Sequence, residues 1–78
     1  MVDVQLLKDT IKKSGMTTTA ICRKSGIVRQ TLYNRYNEPK YFTLDEVDAL
    51  KKVLRLSARE CIRIFFTSRA ENNSAKEG

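Results

Sequence analysis

Apolar residues recur along this chain at helical spacing, and no stretch alternates long enough to suggest a strand. Val4, Leu7 and Ile11, flanked by Leu6 and Thr10 with lysines at 8, 12 and 13 outside, predict a first helix over about residues 2–13. Ser14-Gly15 ends it, since glycine can take the left-handed conformation that stops a helix. Met16 is expected to plug the space between helices. A second helix starts among Thr17, Thr18 and Thr19, any of which can cap, and turns Ile21 and Cys22 inward. Ser25-Gly26 is a turn, with Ile27 tucked beneath it as an apolar plug. A third helix over about 28–36 buries Leu32 and the ring of Tyr36, although Val28 stands where Ser or Thr would normally cap.

Pro39 forbids continuation of that helix, so Asn37–Tyr41 is read as a loop, with Phe42 buried behind it. Thr43-Leu44-Asp45-Glu46 and Ser57-Ala58-Arg59-Glu60 both have capping-box spacing and open a fourth and a fifth helix. The fourth carries the stripe Leu44, Val47, Leu50, Val53 and Leu54. The fifth is expected to bury Cys61, Ile62 and Phe65. From Thr67 onward almost nothing is apolar, which predicts a disordered polar tail over 67–78 behind one domain over 1–66. The fold class is therefore all-α: five short helices around one core, containing a helix-turn-helix.

Residues 18–34, TTAICRKSGIVRQTLYN, concentrate the chemistry. A short helix, a single turn glycine and a second helix with Arg29, Gln30, Tyr33 and Asn34 off its apolar side are the parts of a DNA-reading motif. Arginine can bond guanine O6 and N7 together, and glutamine or asparagine can do the same at adenine N6 and N7. On an isolated helix such a row is an ordinary solvated face. Here it follows a braced turn, with no acid within residues 18–37, and that favours base reading. Tyr33 could meet a thymine methyl, bond a phosphate or pack on the second helix, and the pattern leaves these open.

Charge supports the same segment. The net charge is +6 and the pI about 9.6, which favours a polyanionic partner. Five basic residues (Arg23, Lys24, Arg29, Arg35 and Lys40) face one acid, Glu38, within 17–41, so +4 of that excess sits there. Arg23, Lys24, Arg35 and Lys40 are expected to act on phosphates by charge. Lysines 8, 12, 13, 51 and 52 read as soluble surface.

Other chemistries find little support. There is no histidine, and Cys22 and Cys61 lack metal-ligand spacing, so they are expected to be small core hydrophobes, with a disulfide the minor reading. Asp45, Glu46 and Asp48 are the one carboxylate cluster, and the helix cap explains them; no enzyme is expected. No cofactor or small-molecule substrate is implied. Met1–Thr10 carries Asp3 and Asp9 and no long apolar run, and no segment suits a membrane span, so a reduced cytoplasm is expected.

The order of elements and the step from Cys22 to Gly26, with Leu32 six positions on, resemble the Cro/cI (lambda-repressor-like, XRE) family of phage and bacterial DNA-binding domains. The resemblance covers about residues 4–66. It implies phosphate contacts from Thr18 at the start of the second helix, from Thr31, and from Asn37 through Lys40 and Tyr41 after the recognition helix. It implies major-groove contacts from Arg29, Gln30 and Asn34, with Tyr33 beside them. Thr18 stands where members often have Gln, Val28 replaces the usual cap, and NEPK replaces an Asn-Gly loop. The implied function is sequence-specific operator binding by a Cro-like repressor of phage, prophage or bacterial origin. The alternative is an antitoxin or antirepressor that buries the same face in a protein. Ile64 and Phe66 fall off the predicted stripe of the fifth helix, which motivates homodimerisation through that helix.

Overall fold

The computed structural model describes residues 2–66, and the tail predicted over 67–78 lies outside them. Five helices follow in order: α1 (Val4–Ser14), α2 (Thr18–Ser25), α3 (Arg29–Asn37), α4 (Leu44–Leu54) and α5 (Ala58–Phe65). A single 3₁₀ turn, Pro39–Tyr41, occupies the segment read as loop. No strand occurs among the described residues.

Local chemistry sets most boundaries. Asp3 opens α1 by accepting from the Leu6 N–H at 2.9 Å, so the helix starts later than its apolar spacing alone implies. Thr17 caps α2 by accepting from the Ala20 N–H at 3.0 Å. Both predicted capping boxes form. Thr43 and Glu46 exchange hydrogen bonds at 3.0 Å each, and Ser57 and Glu60 do so at 2.8 and 3.1 Å. Gly26 takes φ 79° as it closes α2, a conformation that costs other residues about 1 kcal/mol or more. Val28 has an extended backbone at the start of α3 and no side-chain cap bond, as its chemistry requires.

One core joins all five helices. Leu7, Ile21, Leu32 and Leu50 are wholly inaccessible, one from each of the first four helices, and Ile64 of α5 joins them at 2% exposure. Ile27 is buried beneath the turn, as expected. α2 packs most extensively on α4, which fixes the brace behind the recognition helix. The Phe42 and Phe65 rings meet edge to face at 5.6 Å, and the Asp3 N–H donates to the Ile64 carbonyl at 2.6 Å. The second contact ties the two ends of the described chain together, and the first ties α5 to the segment before α4.

Three packing expectations are corrected. Ile62 is 56% exposed and Ile64 is buried, the reverse of the predicted stripe. Leu44 is 75% exposed because it occupies the first turn of α4, before the helix reaches the core. Cys22, Tyr36 and Phe42 are half-buried, packed against the core from its edge. Cys22 and Cys61 are both free thiols. Burial pushes the Cys22 thiol up, against a smaller opposing pull from Arg29, so it stays protonated and apolar.

Candidate nucleic-acid interface

The exposed face of α3 begins with its first residue. Ile27 anchors the incoming chain in the core, and its N–H donates to Ser25 Oγ at 3.2 Å. With that end fixed and Leu32 buried, the helical repeat of about 100° per residue sends Arg29, Gln30, Tyr33, Asn34 and Asn37 to one side. All five are exposed. Thr31 and Arg35 fall on the other side, toward α4, and both are half-buried.

Contacts between these side chains give the face internal order. Gln30 Nε2 donates to Asn34 Oδ1 at 3.0 Å. The Arg29 guanidinium lies 5.8 Å from the centre of the Tyr33 ring, within cation–π range. Tyr33 and Tyr36 meet edge to face at 5.8 Å, and Lys8 Nζ stands 5.0 Å from the Tyr36 ring centre. Burial raises the pKa of the Tyr36 phenol, and Tyr33 and Cys22 add to that effect.

An open groove of about 560 Å³ runs beside this ladder, lined by Lys8 and Lys12 of α1, Thr17 and Thr18 at the start of α2, and Tyr33, Tyr36 and Asn37 of α3. Thr18 thus shares a surface with the recognition face. So do Lys8 and Lys12, which the sequence pattern assigned to plain soluble surface. Their signal was available only in three dimensions, because Lys8 and Lys12 share one face of α1 but only packing sets that face beside α3. The start of α2 borders the groove, and the positive end of its dipole suits an anion.

Other expected phosphate contacts are distributed around this face. Arg23 and Lys24 are exposed on the last turn of α2, and Lys24 Nζ approaches Met16 Sδ at 3.9 Å. Lys40 and Tyr41 are exposed on the 3₁₀ turn, with Lys40 Nζ 5.3 Å from the Tyr41 ring centre. Thr31 instead lines a hollow shared with Asp45 and Glu46, an acidic setting for a phosphate.

Arg35 departs most from the sequence expectation. Its Nε donates to Glu46 Oε1 at 2.9 Å and its Nη2 to Oε2 at 3.1 Å, a two-pronged pair across α3 and α4. Glu46 is the same residue that caps α4. Burial pushes this carboxyl up, but hydrogen bonds from Arg35 and Thr43 and the nearby positive charge outweigh it and hold the pKa below 4.5. The pair makes Arg35 a strut between two helices instead of a charge free for DNA. Asp48 is likewise engaged, with Lys52 at 3.0 Å.

A braced helix, a glycine turn and a second helix with an exposed polar face define a helix-turn-helix domain. Comparison with known families matches residues 7–63 to the Cro/C1-type HTH DNA-binding domain. The chain belongs to that family, and its chemistry is DNA binding. The comparisons with curated proteins and with solved structures found no match. No helix among the described residues is long and apolar enough to cross a membrane.

Proposed function

We infer that this protein is a sequence-specific repressor of transcription, Cro-like and of phage, prophage or bacterial origin, that reads an operator in the major groove. The observation that carries this reading is the row of exposed tips, Arg29, Gln30 and Asn34, on the helix that follows the braced turn. Arg23, Lys24, Lys40 and Tyr41 flank the row as phosphate contacts, with Thr18 and Asn37 in the adjoining groove. Bound there, the domain occludes a promoter and needs no catalysis. Its two free thiols suit a reducing cytoplasm. Polar tips at 29, 30 and 34 suit base edges better than the apolar groove an antitoxin partner would offer.

The test is selection of bound duplexes from a random library, followed by gel shifts of the selected sequence across salt. A repressor of this kind enriches one sequence and binds it about 10³-fold or more tighter than random duplex. It also loses affinity steeply with salt, by a slope of roughly 0.9 for each phosphate neutralised. Enrichment of nothing, with salt-insensitive or absent binding, sinks the reading.

A further inference from the structure

The four candidate base readers of α3 do not stand independently. They form two pairs, each spanning one helical turn: Gln30 with Asn34 and Arg29 with Tyr33. In each pair the member nearer the helix N-terminus is one of the first two residues of α3. In helix-turn-helix docking, base edges are met by the N-terminal residues of the second helix.

The hydrogen bond makes the two amides unequal. A carboxamide offers two N–H donors and a carbonyl oxygen with two lone pairs. Gln30 gives one N–H to Asn34 and keeps its second N–H and its whole carbonyl. That remaining set is what adenine requires, an acceptor for N6–H and a donor for N7. Asn34 keeps both N–H groups and one carbonyl lone pair, but its carbonyl is turned back toward Gln30, so that bond sets the orientation of its amide. Its side chain is also shorter by one methylene.

Arg29 and Tyr33 divide in the same way. The ring of Tyr33 is held edge to face by half-buried Tyr36, and the Arg29 guanidinium lies against it. An aromatic face restrains the guanidinium through cation–π attraction while leaving its N–H fork available for guanine O6 and N7. Long side chains lose rotamer freedom when they bind, and a partner that restricts them beforehand lowers that cost.

We propose that base choice by α3 rests on Arg29 and Gln30, which take guanine and adenine, while Tyr33 and Asn34 are positioning residues that hold those two tips. The proposal rests on the operator-binding reading and sharpens it, from four readers to two with stated bases.

The experiment is selection from a random duplex library with the wild-type chain and with variants, followed by affinities for the best site and its single-base substitutions. In wild type, each copy of α3 fixes one guanine and one adenine. Arg29→Ala erases the guanine preference and Gln30→Ala the adenine preference. Asn34→Ala keeps the same consensus but lowers discrimination at the adenine about tenfold, leaving the guanine unchanged. Tyr33→Ala lowers discrimination at the guanine about tenfold, and Tyr33→Phe, which keeps the ring face without the hydroxyl, restores it. Loss of a preference at a third base pair in Asn34→Ala or Tyr33→Phe overturns the proposal, because those residues would then be readers. Unchanged discrimination in Asn34→Ala and Tyr33→Ala overturns it equally. A wild-type chain that enriches no sequence sinks the operator reading itself, a result distinct from any of these.

Discussion

Glu46 satisfies three donors at once: the Thr43 backbone N–H and two nitrogens of Arg35. Removing it therefore frees the start of α4 and releases the recognition helix from its strut. Glu46→Ala is expected to cost about 1 kcal/mol through the capping box alone. That lowers Tm by roughly 4–8 °C in a domain of this size, as thermal unfolding would measure. Glu46→Gln isolates the charge, since glutamine can still serve a capping box. The folded carboxyl sits below its ordinary 4.5, so its charge contributes stability above that pH, and the contribution is lost as pH falls through the folded value. The Tm gap between wild type and Glu46→Gln should be fully open at pH 7 and close below pH 4.5. A constant gap would show that the ion pair adds nothing. Arg29 is tested by binding, not by melting. Arg29→Ala should cost about 1–3 kcal/mol at the selected sequence and little on random duplex. Equal losses on both would make it a phosphate contact.

At the scale of the element, legibility depended on how local each determinant is. Both capping boxes lie within four residues, and both could be read directly from the sequence. The Arg35–Glu46 pair spans two helices and eleven positions, so no local pattern carries it. Helix α5 failed for another reason. With about 100° per residue, Cys61, Ile62 and Phe65 span the same arc as Cys61, Ile64 and Phe65. Two turns of helix cannot choose between them; the position of α1 and Phe42 does, through Asp3–Ile64 and Phe42–Phe65. The recognition face was legible as a set of residues, but Lys8 and Lys12 joined its groove only on folding. Urea unfolding tests the register of α5. Ile64→Ala should cost about 2–5 kcal/mol as a core truncation, and Ile62→Ala less than about 0.5 kcal/mol. Val28 offers a gain. Its extended backbone suits an N-cap, but its side chain bonds nothing, so Val28→Thr should add about 1 kcal/mol of stability.

The whole molecule carries two surfaces of opposite character. One is the polar and basic face of α3 with its groove. The other is mostly apolar: Ile62 and Phe66, one turn apart, are exposed. Phe66 lines a hollow of about 570 Å³ with Val2, Phe42 and Leu44, which extends to Asn37, Glu38 and Lys40, next to the first face. The sequence assigned the excess apolar surface to Ile64 and Phe66; Phe66 is exposed, but the core consumes Ile64. With Ile62 in its place, we propose homodimerisation through α5 as the use of this face. Two-fold pairing would present two recognition helices to half-sites about 34 Å apart, one turn of DNA. Sedimentation should then show dimer at tens of micromolar, and Ile62→Asp should return it to monomer while leaving Tm measured on the monomer nearly unchanged. The same substitution should weaken binding to a two-half-site duplex far more than to a single half-site, because only the former gains from linked contacts. Wild-type chain that remains monomeric at high micromolar concentration and binds both duplexes alike would assign the apolar face to another partner.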